Sequence, residues 1–413
     1  MKRLQELVAL IFAFELSIGL MPQVFASDDQ LQVDSAPVMQ QTTPPSDTDF
    51  KSALETIRRT NQLPALGIYV SAPGQPEQII TAGFRRDGDP TRVTNTDAFH
   101  LGSCGKAFTA TLVGKFIDAG RIHWQTKIAD VYGDKIAIDP GFQTVTIELI
   151  LSHRAGLTGD IMGYDEGALW KQLRNPALSA RAGRALVAQT LLRNAPTQAP
   201  AHNFVYSNAG YIILGNMLED IANENWETLI SSEIFQPLHM DSCSFGNPSA
   251  ATTSVVDGPR PHEFRDGHNV PLPSIPAADN PPAFGPAGTI RCSLADWGKF
   301  VTMQLRGFRG ESDFLTASTF NKLQQIAPGN SVGYTFGAWI RRDISWAKGP
   351  LFSHAGSNTF NSAKVWWAPQ TQSIALTVTN TAHERVWPAL NQVLLLTIPR
   401  MQGDGSHPTT PNH

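Results

Sequence analysis

The chain is poor in cysteine and in charge. Only Cys104, Cys243 and Cys292 stand among its 413 residues. An odd count leaves at least one thiol unpaired and excludes a small disulfide-stapled scaffold. Cys104 reads as a small buried packing residue, and the favoured reading leaves Cys243 and Cys292 as two separate buried thiols. The eleven histidines include no His-Glu-x-x-His and no clustered Cys/His spacing, which speaks against a catalytic zinc site. Lys, Arg, Asp and Glu make up only 16% of the chain and the net charge is −4, so neither a nucleic acid nor an anionic membrane surface is an expected partner. After the N-terminus no apolar run is long enough to span a bilayer. Ser103, the serine of greatest interest below, does not sit in a Gly-x-Ser-x-Gly pentapeptide, which disfavours a nucleophile-elbow hydrolase.

Hydrophobic residues make up 41% of the chain, enough at this length for a large core. Lys2 and Arg3 precede an apolar stretch from Leu7 to Met21, and Val24-Phe25-Ala26 offers a cleavage site; Glu6 and Glu15 depart from that pattern. Residues 1–26 therefore read as a signal peptide, 27–48 as a flexible polar leader, 49–400 as one catalytic domain and 401–413 as a disordered tail. The mature protein is expected to be exported, to the periplasm or beyond, with no membrane span after cleavage.

Hydrophobic periodicity gives the order of elements. A short helix is expected over Asp49–Asn61, then a hairpin of Leu66–Val70 and Ile79–Phe84 around Ala72-Pro73-Gly74. From Lys106 the period becomes helical, with Phe108, Leu112, Val113 and Phe116 on one face and Gly120 at the end. Further helices are expected from Thr146, over Ser179–Arg193, and from Asn208 as a cap. Residues 246–287 read as irregular, a candidate pocket wall. Strands return at Phe336–Ile340, Ala363–Trp367 and Ile374–Thr379, and Val386–Ile398 closes the chain as a helix interrupted near Pro388. The fold class is α/β (α+β): an antiparallel sheet built from both chain ends and flanked by helices, with a mostly helical region, about 107–280, inserted in it.

Three short motifs carry chemistry. Ser103 and Lys106 are three residues apart at a helix start, so hydroxyl and amine share one face. A serine hydroxyl needs a base to attack at neutral pH, and Lys106 qualifies if burial lowers its pKa. Tyr206-Ser207-Asn208 supplies a proton-relaying phenol and a carboxamide able to hold a substrate carbonyl. His354-Ala355-Gly356-Ser357 supplies a glycine that admits substrate to the backbone and an N–H for an oxyanion. His153 or His354 could alternatively serve Ser103 as base.

With these motifs in this order, the chain resembles the serine β-lactamase and penicillin-binding-protein superfamily, closest to its class C β-lactamase-related branch. His100-Leu101-Gly102-Ser103, the Thr146–Leu157 segment, Pro286-Ala287-Gly288, Ser293–Trp297 and Trp367-Ala368-Pro369 are similar to further runs of that family. The resemblance spans roughly residues 50–400. It implies a β-lactamase/transpeptidase-like fold, Ser103 as acylated nucleophile, and Lys106 and Tyr206 sharing proton transfer. It implies Asn208 on the substrate amide or carbonyl, the N–H groups of Ser103 and Ser357 as oxyanion donors beside Gly356, and His354 where many members carry lysine. Alanine after that histidine removes a hydroxyl suited to gripping a carboxylate, so β-lactam hydrolysis is expected to be inefficient. The expected activity is a serine hydrolase acting on a small-molecule ester, amide, D-amino-acid peptide or peptidoglycan-like substrate, without metal or organic cofactor. β-Lactamase, D-alanyl-D-alanine carboxypeptidase and a non-catalytic binding or sensing domain are the alternatives.

Overall fold

The computed structural model describes residues 47–247, 258–273 and 278–402. The expected signal peptide, nearly all of the leader and most of the tail lie outside the described residues. The chain enters through helix α1 (Asp47–Thr60), strands β1 (Ala65–Ser71) and β2 (Gln78–Gly83), and the short β3 (Ala98–His100). A 3₁₀ turn over Gly102–Gly105 leads into α2 (Lys106–Asp118). The inserted region carries α3 (Ala180–Leu192) and α4 (Asn208–Ala222). Strands β4 (Ser244–Phe245), β5 (His262–Arg265), β6 (His268–Pro271) and β7 (Ile290–Ser293) follow, the last running directly into α5 (Leu294–Phe308). Strands β8 (Ile340–Ile344), β9 (Gly349–Ser357), β10 (Ser362–Ala368), β11 (Ser373–Thr379) and β12 (Thr381–Ala382) precede the closing helix α6 (Val386–Met401).

The main sheet has the order β2-β1-β11-β10-β9-β8, antiparallel throughout. Both chain ends build it, as the order of hydrophobic runs implies, because β1 pairs with β11 (Ile68 opposite Thr377). Helices cover both faces, so β1, β10 and β11 read as nearly continuous apolar runs and are buried along their length. Gly67 and Tyr69 of β1 face α5, where a Cβ on Gly298 would fall 2.7 Å from the Tyr69 ring. Helices α1 and α6 pack on the sheet as well, against strands from both ends of the chain.

Several expectations need correction. The strand expected at Phe336–Ile340 lies later, at β8; residues 334–340 instead fold back on themselves, with the Thr335 N–H donating to the Trp339 carbonyl and Thr335 Oγ1 accepting from the Trp339 N–H. Pro388 does not interrupt α6, because it sits in the first helical turn, where its N–H would have no intrahelical partner. The 246–287 stretch is not wholly irregular: it contains the β5–β6 hairpin, whose β5 pairs in parallel with β12. His262 of β5 locks that corner, its Nε2 accepting from the Asp87 N–H at 3.0 Å and its Nδ1 lying 2.9 Å from the Asn380 carbonyl.

Cys243 and Cys292 are bonded to each other, against the expectation of separate thiols. Antiparallel pairing of β4 with β7 sets Ser244 opposite Arg291 and Phe245 opposite Ile290. The next step of that register brings Cys243 opposite Cys292, with Cα atoms 4.2 Å apart. Two such short strands leave little periodicity to read in advance. Cys104 is free and buried, as expected. Closing a loop across 49 residues of chain contributes about 2–4 kcal/mol. The Cys243→Ala/Cys292→Ala variant should therefore unfold at a lower urea concentration than the wild type and be insensitive to dithiothreitol. An unchanged midpoint, with wild type equally indifferent to reductant, would show that the bridge contributes nothing.

Candidate active site

Strand β3 delivers the chain to Leu101, and Gly102 then turns it with φ +51°, a conformation that glycine adopts without cost. Ser103 follows in the 3₁₀ turn rather than in the α-helix itself. The three-residue spacing still brings its hydroxyl to Lys106, the first residue of α2: Oγ and Nζ are 3.0 Å apart.

Lys106 is fully buried. Its Nζ also lies 2.6 Å from Asn208 Oδ1 and 2.7 Å from the carbonyl oxygen of Ala287. Both are acceptors only, so they take the two N–H bonds of a neutral amine and leave its lone pair for the Ser103 hydroxyl. Burial drives the Lys106 pKa well below its ordinary 10.5, opposed only slightly by the Cys104 thiol. The arrangement thus makes a base of a residue that is ordinarily a cation.

Tyr206 approaches Ser103 from another side. Burial raises its pKa, and its hydrogen bond with the Ser103 hydroxyl works in the opposite direction without reversing the shift. The phenol therefore stays protonated. One amine pushed down and one phenol pushed up are a base and an acid by environment alone. The Tyr206 and Tyr211 rings lie 4.8 and 5.6 Å from Nζ, placed to stabilise an ammonium that forms during reaction.

Asn208 owes its availability to its neighbour. Ser207, not Asn208 as expected, caps α4, its Oγ accepting from the Gly210 N–H at 3.2 Å. That releases the Asn208 side chain at the first helical position to point at Lys106.

Strand β9 runs against the nucleophile turn so closely that two glycines are required. A Cβ on Gly102 would fall 2.4 Å from the Ser357 nitrogen, and one on Gly356 would fall 2.8 Å from the Ser103 nitrogen. The backbones that carry the two expected oxyanion donors are therefore in direct contact. His354, two residues before Gly356 on the same face of β9, is buried. Its Nε2 lies 3.2 Å from the Tyr334 hydroxyl and its Nδ1 2.6 Å from the Ala355 carbonyl. Burial, with the nearby Lys106, pushes its pKa down to about 3, so this position carries no charge at neutral pH.

His153 is not placed as a base for Ser103. Its Nδ1 accepts from the Ser207 N–H at 3.0 Å, and its ring packs 4.3 Å from that of Tyr206. Gly329-Asn330-Ser331-Val332-Gly333 does match Gly-x-Ser-x-Gly. Its serine is exposed in a turn with no strand-to-helix elbow around it. Trp339, Phe352 and Trp366 are core residues, Phe352 and Trp367 stacking at 4.0 Å. Two participants escaped the sequence reading. The Ala287 carbonyl is a backbone group with no side-chain signature, and Tyr334 belongs to no recognisable motif.

A model of the beta-lactamase family matches residues 50–397, and the chain belongs to that family. Among curated relatives it is 25% identical over 260 residues to penicillin-binding protein 4 of Amycolatopsis lactamdurans, covering 62% of this chain and 63% of that protein. It is 27% identical over 280 residues to an unguisins hydrolase of Aspergillus violaceofuscus, covering 62% of this chain and 45% of that one. The chain thus spans less than two thirds of the length of either relative. Among solved structures it is similar to the octameric penicillin-binding protein homologue from Pyrococcus abyssi (TM-score 0.68, 19% identity, 85% of this chain and 77% of that one). It is also similar to a D-amino acid amidase from Ochrobactrum anthropi (TM-score 0.66, 16% identity, 86% and 99%). These structures share the mixed fold of helices and antiparallel sheet.

The buried histidines make stability depend on pH. Folding lowers the pKa of His354 to about 3 and of His262 to about 4, in both cases mainly by burial, and drives that of His153 well below 6.5. Their neutral forms support the fold fully above pH 6.5, and the unfolded chain takes up protons first as the pH falls. Urea-unfolding free energy should therefore decrease from pH 6.5 towards 4, by up to about 1.4 kcal/mol per pH unit for each histidine. A flat profile over that range would contradict the burial of these rings as neutral groups.

Proposed function

We propose that this member of the beta-lactamase family is an exported serine hydrolase that works through an acyl-enzyme on Ser103. The observation that carries the reading is the Lys106 amine, buried, 3.0 Å from Ser103 Oγ, with acceptors on its other two sides. Lys106 takes the Ser103 proton as Oγ attacks the substrate carbonyl. The N–H groups of Ser103 and Ser357 hold the oxyanion, each such donor being worth a few kcal/mol. Tyr206 protonates the leaving alcohol or amine and recovers a proton from Lys106. Water, deprotonated by the same groups, then attacks the ester to Ser103 and releases the acid.

The substrate is a neutral ester or small amide, D-amino-acid peptides included. What supports this is how weakly charge is favoured on the groups nearest the nucleophile: burial pushes the Lys106 pKa well down, His354 is neutral and Tyr206 is a phenol. The fold is shared with a D-amino acid amidase, and one curated relative is named a hydrolase. A β-lactam or a peptide ending in a carboxylate meets no standing cation at His354. Export is supported by the Cys243–Cys292 bridge, which belongs to an oxidising compartment. A purely binding role is disfavoured because it has no use for a deprotonated lysine beside a serine.

The test is turnover of p-nitrophenyl acetate and butyrate by the mature protein. Wild type should release p-nitrophenol, Ser103→Ala should not, and Lys106→Ala should lose at least about 10²-fold in kcat. Equal rates in wild type and Ser103→Ala would remove Ser103 as nucleophile; near-wild-type rates in Lys106→Ala would remove Lys106 as base.

A further inference from the structure

Behind the nucleophile turn lies an Asp–His pair that no step above uses. His100, the last residue of β3, is buried, and its Nδ1 accepts from the Gly102 N–H at 3.0 Å. That bond leaves the imidazole proton on Nε2. Nε2 lies 3.1 Å from Asp279 Oδ1, itself buried. Asp279 is more than a partner for His100. Its Oδ1 accepts from the Asn358 side-chain amide at 2.7 Å and from the Asn280 N–H at 2.7 Å, and its Oδ2 accepts from the Asn247 N–H at 2.7 Å. Burial alone would raise its pKa, but His100 first, then Asn358 and the Asn280 N–H, more than offset this and keep it ionised.

These contacts join the two segments on which the oxyanion site depends. Through His100, Asp279 reaches Gly102, whose peptide carbon bonds to the Ser103 nitrogen. Through Asn358, it reaches the residue next to Ser357. Asn358 Oδ1 in turn accepts from the Phe360 N–H at 3.2 Å and from the Asn361 amide at 3.1 Å, fixing the turn that Ser357 enters. One carboxylate thus holds both halves of the site in register from behind.

We propose that His100 and Asp279 are positioning residues that fix the Ser103 and Ser357 N–H groups against each other, and that they act on the tetrahedral state rather than on substrate binding. The inference rests on the acyl-enzyme reading above. Its lever is the carboxylate. An alanine at 279 removes the acceptor that faces Nε2 and the anchor of Asn358 together, whereas an asparagine could keep its oxygen towards the His100, Asn358 and Asn280 donors and set its NH₂ against the Asn247 N–H alone. A glutamine at 100 keeps an acceptor and a donor on one side chain and preserves both contacts.

The experiment compares wild type with Ser103→Ala, His100→Phe, His100→Gln and Asp279→Ala, all first shown to be folded by circular dichroism. kcat and KM are measured on p-nitrophenyl butyrate, together with inhibition by phenylboronic acid, whose tetrahedral adduct needs the oxyanion donors. His100→Phe and Asp279→Ala should lose about 10- to 100-fold in kcat, the scale expected for a small misplacement of reacting groups. KM should stay within about threefold, and boronate affinity should weaken in parallel with kcat/KM. His100→Gln should recover most of the loss. Nitrogen-15 NMR of the histidines should show the Nε2–H tautomer at His100 in wild type. Unchanged kcat in both disruptive variants overturns the proposal, and so does a loss confined to KM. An Nδ1–H tautomer in wild type overturns it whatever the activity. Absence of Ser103-dependent turnover in wild type overturns the acyl-enzyme reading itself, and the positioning role falls with it.

Discussion

The site depends on a lysine amine held out of water without a carboxylate to keep it charged. A paired Lys106 would be a cation and no base; a solvated one would be protonated at neutral pH. Its acceptors are a side-chain carbonyl and a backbone carbonyl, Asn208 Oδ1 and Ala287 O, and neither carries charge. Among the described residues, no carboxylate acts on it. The cost of burying this group is accepted at the nucleophile, and the surrounding fold has to hold it there.

That requirement explains why distant parts of the chain meet at this point. Ser103 and Lys106 arrive on the turn between β3 and α2, Asn208 on the first turn of α4, and Ala287 on the segment before β7. Strand β9 comes from the far end of the chain and completes the wall. The sheet brings β9 there because β1 pairs with β11, which joins the two chain ends into one platform. Gly102 and Gly356 then let turn and strand touch backbone to backbone, which no larger residue at either position permits. The Cys243–Cys292 bridge ties β4 to β7, and β7 pairs with β3 just before the nucleophile. Asp279 secures the same region from behind.

Much of this was legible in the sequence because it rests on local spacing. Ser103 and Lys106 share a face by helical arithmetic, and α3, β10 and β11 follow from apolar periodicity to within a residue or two. What escaped lies in long-range or backbone geometry. The Ala287 carbonyl carries no side-chain identity. The disulfide depends on the register of two strands too short to show a pattern. His100 looked like part of a motif's lead-in, and its meaning appears only when Asp279, 179 residues later in the chain, folds against it. Asn208 was read as a cap because an asparagine before a helix usually is one; Ser207 takes that role and frees it.

The central claim is that burial holds the pKa of the Lys106 amine well below its ordinary value, so that it serves Ser103 as base. The most direct test is the rate of covalent capture of Ser103 by an aryl phosphonate, followed by intact mass across pH 5 to 11. A lowered Lys106 pKa predicts a rate that climbs with pH and reaches its plateau well below the ordinary lysine value of 10.5, in wild type but not in Lys106→Ala. A rate that keeps rising through pH 10.5, or a plateau that survives in Lys106→Ala, would contradict it.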